Sequence, residues 1–212
     1  MTSNKIRYST INALYSVWFF LLTILLHHTS FGQIKNVWAL GDGEKIFRYD
    51  LHHPDKNGNY TWDGKTIHLK GLYNEVLAFQ VIAETGDSAA KGIELSLGAL
   101  LNKSSGDVIG ASTLKYGPAG TIEIFTEHYL QVKDSTPPNW YYGSPAAAPK
   151  KMTGWIPDAL IPTDATPGLG GFPVDIGANQ NQGFWVDVHL PRDQKNFASG
   201  VYETKVQLWQ QG

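Results

Sequence analysis

Apolar and polar positions alternate through most of the chain beyond residue 36, a period of two that predicts strands. In the run from Phe184 to Leu190, Phe184, Val186, Val188 and Leu190 fall on one face, and Trp185, Asp187 and His189 fall on the other. Val201 to Leu208 repeats the pattern with Tyr202, Thr204, Val206 and Leu208 in phase. Between the two lies Pro191 to Gly200, whose Pro, Asp, Asn, Ser and Gly suit a turn, so the pair is expected to form a β-hairpin. A slip of one residue would turn every apolar side chain outward, which specifies the register. Glu75 to Glu84 (EVLAFQVIAE) is different in kind. Leu77, Phe79, Val81 and Ala83 line one face while Val76, Ala78 and Ile82 make the other largely apolar, so this should be a central strand covered on both sides.

Shorter runs fill the rest. Val37 to Leu40 reads as a strand ended by Gly41-Asp42-Gly43, and Ile46 to Asp50 as a second. An Asp63-Gly64 turn leads into Thr66 to Lys70, where Ile67 and Leu69 alternate with polar neighbours. Gly92 to Leu97 points Ile93, Leu95 and Leu97 inward, and Val108-Ile109 is a short strand. Thr121 to Lys133 places Ile122, Ile124, Leu130 and Val132 in phase, and its β-branched and aromatic residues favour strand over helix. From 134 to 181 the alternation stops. That stretch holds eight of the 11 prolines, yet Trp140, Tyr141, Tyr142, Trp155 and Phe172 recur within it and need something to pack against. The fold class expected is all-β, an antiparallel two-sheet β-sandwich of immunoglobulin or jelly-roll type, with the Pro/Gly/aromatic-rich loop 134–181 packed on it.

Composition sets the context. Lys5 and Arg7 precede an apolar run from Tyr15 to Leu26, and Ser30-Phe31-Gly32 puts small residues at the positions a signal peptidase reads. Residues 1–32 are therefore expected to be a signal peptide and 33–212 a single exported domain, periplasmic or extracellular and without a stable membrane anchor after cleavage. The apolar run is shorter than the roughly 20 residues a bilayer span needs. Loss of Lys5 and Arg7 moves the formal charge from −2 to −4, and no Lys/Arg cluster is present, which argues against nucleic acid as a partner. Without cysteine the domain must stand on its core alone, which fits bacterial export.

No complete active site can be assembled from the residues. Glycoside hydrolysis uses two carboxyl groups roughly 5–10 Å apart, whereas alternation sends Glu75, Glu84, Glu94, Glu123 and Glu127 to solvent or the sheet margin. Asp55, Asn57, Asn59 and Asp63 repeat hard oxygens at alternate positions, a weak calcium candidate set against a polar turn that caps its own backbone. No other cofactor is implied. His52 and His53 are adjacent on an extended chain and point apart, so they cannot readily share a metal. The strongest signal is aromatic. Trp140, Tyr141, Tyr142 and Trp155, with Asp158 and Asn181 as hydrogen-bonding partners, suit either the apolar faces of sugars or an interface with another domain.

Three blocks, Gly71 to Gln80, Gly154 to Pro162 and Asn181 to Pro191, together with Gly200-Val-Tyr202, resemble the N-terminal β-sandwich region of bacterial glycoside-hydrolase family 123-like proteins. The resemblance implies a domain that precedes a (β/α)8 barrel hydrolysing N-acetylgalactosaminides with an Asp-Glu pair and the substrate's own acetamido group. That pair has no position in this chain. The function expected is thus a secreted, non-catalytic accessory domain that supports a catalytic glycosidase domain or binds carbohydrate. Two alternatives stand beside it: the N-terminal fragment of a complete secreted glycosidase, and a structural or protein-binding sandwich.

Overall fold

The computed structural model describes residues 34–110, 120–134, 153–192 and 195–211. Eleven strands lie among them: β1 Ile34–Gly41, β2 Val76–Thr85, β3 Ala90–Leu97, β4 Leu100–Asn102, β5 Val108–Ile109, β6 Thr121–Val132, β7 Gly154–Pro162, β8 Val174–Ile176, β9 Asn181–His189, β10 Tyr202–Glu203 and β11 Val206–Gln210. A 3-10 turn, Pro54–Asn57, is the one helical element among the described residues. The leader expected at residues 1–32 lies outside them.

An antiparallel five-stranded sheet in the order β1-β2-β9-β6-β7 forms one layer. Facing it are two three-stranded sheets, β11-β3-β8 and β10-β4-β5. Alternation explains the packing between them. Phe79, Val81 and Ala83 of β2 and Phe184, Val186 and Val188 of β9 share the inner face and pack on Ala90, Ile93 and Leu95 of β3 and Ile176 of β8. Ile122 and Ile124 of β6, Val206 and Leu208 of β11 and Leu100 of β4 close the rim. Each such side chain removed from water contributes roughly 1.5–3 kcal/mol, so the sandwich holds without disulfides.

The expected strand faces hold on β2, β3 and β9, and four other expectations change. The runs 184–190 and 201–208 do not pair as a hairpin. Tyr202-Glu203 pairs with Asn102 and Leu101, and Val206 to Gln210 pairs with Leu97 to Ile93, so the chain crosses from the five-stranded layer to the facing one. Both runs still turn their apolar sides to one core, and two facing sheets satisfy that pattern as well as a hairpin does. Ile46 to Asp50 and Thr66 to Lys70 form no strands; the second makes only an isolated bridge, Trp62 with Ile67. They belong to a long strap, residues 42–75, whose first part packs Ile46 and Trp62 on the outer face of the five-stranded sheet, while Ile67 and Leu69 reach the inner core.

The third change concerns 134–181, read as irregular, which contains β7 and β8. Pro157 and Pro162 are tolerated in β7 because it is an edge strand, paired among the described strands with β6 alone, where a missing N–H need not break a ladder. Leu130, expected to face inward, is exposed because it lies beyond the residues of β6 that cover the core.

Candidate functional site

The strap decides what the outer face of the sheet can do. Gln80, opposite Leu40 and Trp185 in the sheet, donates its amide to the carbonyls of Gly41 (3.0 Å) and Glu44 (2.7 Å). Asn181 donates its amide to the carbonyls of Phe47 (3.1 Å) and Asp50 (2.7 Å), and its backbone N–H to that of Arg48 (2.7 Å). Trp38, Leu40, Ile46 and Ile82 pack beneath, with Trp62 beside them. The His53 ring stacks on Trp38, centroids 5.6 Å apart, and Lys56 pairs with the buried Glu84 carboxylate. These contacts pin the strap to β1, β2 and the start of β9.

Farther along, Arg48 reaches across to β6 and β7. Its guanidinium lies 4.8 Å from the centre of the Tyr129 ring and 4.4 Å from that of Trp155, a cation held between two π faces. Lys45 pairs with Asp158 of β7 at 2.9 Å, both side chains exposed. Beneath this end of the strap is Glu127, which is only 4% exposed. Its carboxyl lies over Gly183, and among the described residues its Oε2 has no hydrogen-bond partner. Burial pushes this carboxyl up to about 7, with Lys45 opposing the shift. Burial and the nearby Glu127 charge push the Tyr129 hydroxyl up as well.

Beyond the strap's anchors the outer face carries a row of half-buried groups. Trp185 of β9 stands directly opposite Phe125 of β6, and in the next row Asp187 stands opposite Glu123. The Trp185 indole donates to Asp187 Oδ1 at 2.7 Å, and Glu123 Oε2 is 2.9 Å from His189 Nε2. Aromatic rings and carboxylates thus alternate across β9 and β6.

Three of the residues proposed from sequence, Trp155, Asp158 and Asn181, therefore belong to one sheet, and Trp155 and Asp158 meet Arg48 and Lys45 of the strap. Asn181 is 1% exposed and committed to clasping the strap. Trp140, Tyr141 and Tyr142 lie outside the described residues. Of the calcium set, Asn59 Oδ1 accepts from the N–H groups of Thr61 and Trp62, and Asp63 Oδ1 from those of Lys65 and Thr66, as a self-capping turn requires. Hydrogen bonds from His68, Thr66 and Lys65 hold the Asp63 carboxyl down at about 2. Asp55 instead approaches Glu44 and His53, where His53 Nδ1 accepts from the Asp55 N–H and Nε2 faces Glu44 at 3.3 Å.

Sequence reasoning put Trp185 on the outward face of its strand without naming it as a site residue, and missed Gln80, Arg48, Glu127 and Phe125 as members of this face. Glu84 and Glu127 were expected at solvent or the margin, and both are buried because the strap covers the second face of the sheet. Period-two alternation assigns a side chain to a face and says nothing about what lies on it.

No protein-family model and no curated protein matches the chain. Among solved structures it is similar to a family 123 glycoside hydrolase from Clostridium perfringens studied for glycolipid glycan hydrolysis. Identity is 18%, the likeness covers 66% of this chain and 19% of that one, and the TM-score is 0.43.

Proposed function

We propose that the chain is an exported, non-catalytic β-sandwich module that serves glycoside hydrolysis by holding carbohydrate on the outer face of its five-stranded sheet. One observation carries this reading. Trp155, Trp185 and Phe125 are half-buried on β7, β9 and β6, beside the carboxyl groups of Asp158, Asp187 and Glu123. Sugars offer apolar C–H faces to rings and hydroxyls to carboxylates, so rings flanked by acceptors match them chemically. Three of the blocks that resemble the family fold as the end of the strap with β2, as β7 and as β9 of this sheet, and the fourth, Gly200 to Tyr202, leads into β10 of the facing layer.

The test is direct. The full-length chain is expressed in a Gram-negative host, its mature N-terminus is read by mass spectrometry, and a glycan array is probed with the exported product. An N-terminus at Gln33 and saturable glycan binding are expected. A folded, exported product that binds no glycan would refute the carbohydrate reading, and a product retained with its leader would refute the export. A second reading, in which the same face docks on a catalytic domain, draws on the exposed Leu160 of the edge strand β7. Co-purification of a glycosidase domain that Leu160→Asp abolishes would favour it.

A further inference from the structure

Resting on the carbohydrate reading, we infer that the ligand is a neutral oligosaccharide whose ring stacks on Trp185 and Phe125 while one of its hydroxyls reaches the Glu127 carboxyl over Gly183. Three independent features lead there. First, the Trp185 and Phe125 rings oppose each other across β9 and β6 and are only half-buried, and Asp187 holds the indole N–H at 2.7 Å, which fixes the plane of the larger ring. Second, Gly183 precedes Trp185 by two residues on the same face, and its missing side chain leaves the space the Glu127 carboxyl occupies. Third, Glu127 Oε2 is buried without a partner among the described residues. A buried polar atom in that condition costs roughly 1–3 kcal/mol, a cost a ligand hydroxyl would remove.

Access runs past Lys45. Its ion pair with Asp158 is exposed at both partners, so the lysine can swing outward without leaving a buried charge. The carboxyl groups of Glu123 and Asp187 flank the two rings, and the cations of this face, Lys45 and Arg48, are engaged by Asp158 and by the Tyr129 and Trp155 rings, so an anionic sugar such as a uronic or sialic acid is disfavoured and the ligand class is neutral.

Protonation supplies the discriminating readout. Charged and titratable groups on the elements packed around Glu127 include Lys45 and Arg48 of the strap, Asp158 of β7, Asp187 and His189 of β9, Glu84 of β2, and Glu123, His128 and Tyr129 of β6. A protonated Glu127 both donates to and accepts from a hydroxyl, and with its carboxyl titrating at about 7 the protonated fraction falls roughly tenfold between pH 6 and pH 8.

The experiment titrates the full-length chain with neutral chito-, galacto- and malto-oligosaccharides and with a sialylated oligosaccharide, at pH 6 and pH 8, by tryptophan fluorescence and calorimetry. Expected are saturable binding of a neutral oligosaccharide, affinity roughly tenfold lower at pH 8, and no binding of the sialylated one. Trp185→Ala should abolish binding, Glu127→Gln should remove the pH dependence, and Lys91→Ala, on the facing sheet, should behave as wild type. Should Trp185→Ala fail to fold, Trp185→Phe and the Glu127→Gln pH profile decide. Binding that survives Trp185→Phe and keeps the wild-type pH profile in Glu127→Gln would overturn this site and leave the carbohydrate reading standing. Preference for the sialylated ligand would overturn the neutral class. Absence of any binding by folded protein would refute both the site and the reading beneath it.

Discussion

The Glu127 carboxyl occupies the place of the side chain that Gly183 lacks: a Cβ built on Gly183 would stand 2.1 Å from Glu127 Oε2. Gly183 is not in a left-handed conformation, so the glycine serves space and not backbone freedom. Gly183→Ala should therefore act by overpacking. A loss of about 1–3 kcal/mol is expected in urea denaturation, and adding Glu127→Ala should recover part of it by removing the clashing group.

Glu127 also sets a pH dependence of stability. Its folded-state value of about 7 lies above its ordinary 4.5, so the unfolded chain releases this proton first as pH rises. Stability associated with Glu127 is complete below about 4.5, declines between 4.5 and 7, and is constant above. Glu127→Gln removes the ionisation and should stabilise the protein at pH 8 by up to roughly 3 kcal/mol relative to its effect at pH 4. Denaturation midpoints that shift equally at the two pH values would exclude this.

The clasp at Asn181 should be the strap's weakest point to lose. Asn181→Ala removes the side-chain donor from the carbonyl of Asp50 and one of the two donors from that of Phe47, which keeps the Asp50 N–H. About 2–3 kcal/mol of destabilisation is expected, with faster amide hydrogen exchange concentrated in residues 42–75. Exchange that rises uniformly across the sheet would show that the strap and sandwich open as one unit.

Lys56→Met tests the buried ion pair. It strands the Glu84 carboxylate, which is 2% exposed, and should cost about 3–5 kcal/mol at pH 7. The double variant with Glu84→Met, which replaces both charges by apolar groups, should regain most of that loss in the same thermal or urea melts.

Arg48 joins the strap to the far strands through two rings. Arg48→Ala should cost about 1–2 kcal/mol, and Arg48→Lys should recover only part, since an ammonium cannot lie flat between the Tyr129 and Trp155 rings. Near-ultraviolet circular dichroism, which reports the asymmetry around Trp155, measures both.

The amino-acid order by itself determined the period of two, and with it the strands and their inward faces on β2, β3 and β9. Those properties are local: successive side chains of an extended chain point to opposite sides, and Phe79, Val81, Phe184 and Val186 must leave water whichever strands they meet. Partners and coverings were decided by the tertiary structure alone. The run 201–208 left β9 for the facing layer because both arrangements bury the same side chains. Pro157 and Pro162 proved compatible with β7 because no strand among the described residues bonds its other edge. Glu84 and Glu127, polar by every local rule, became buried because a strap with no strand of its own crosses the second face of the sheet. The candidate site followed from that crossing. Trp185 and Gly183 come from β9, Phe125 and Glu127 from β6 and Arg48 from the strap, three separate segments, and no spacing along the chain records that they share a face, since only the sheet order and the strap's path bring them together.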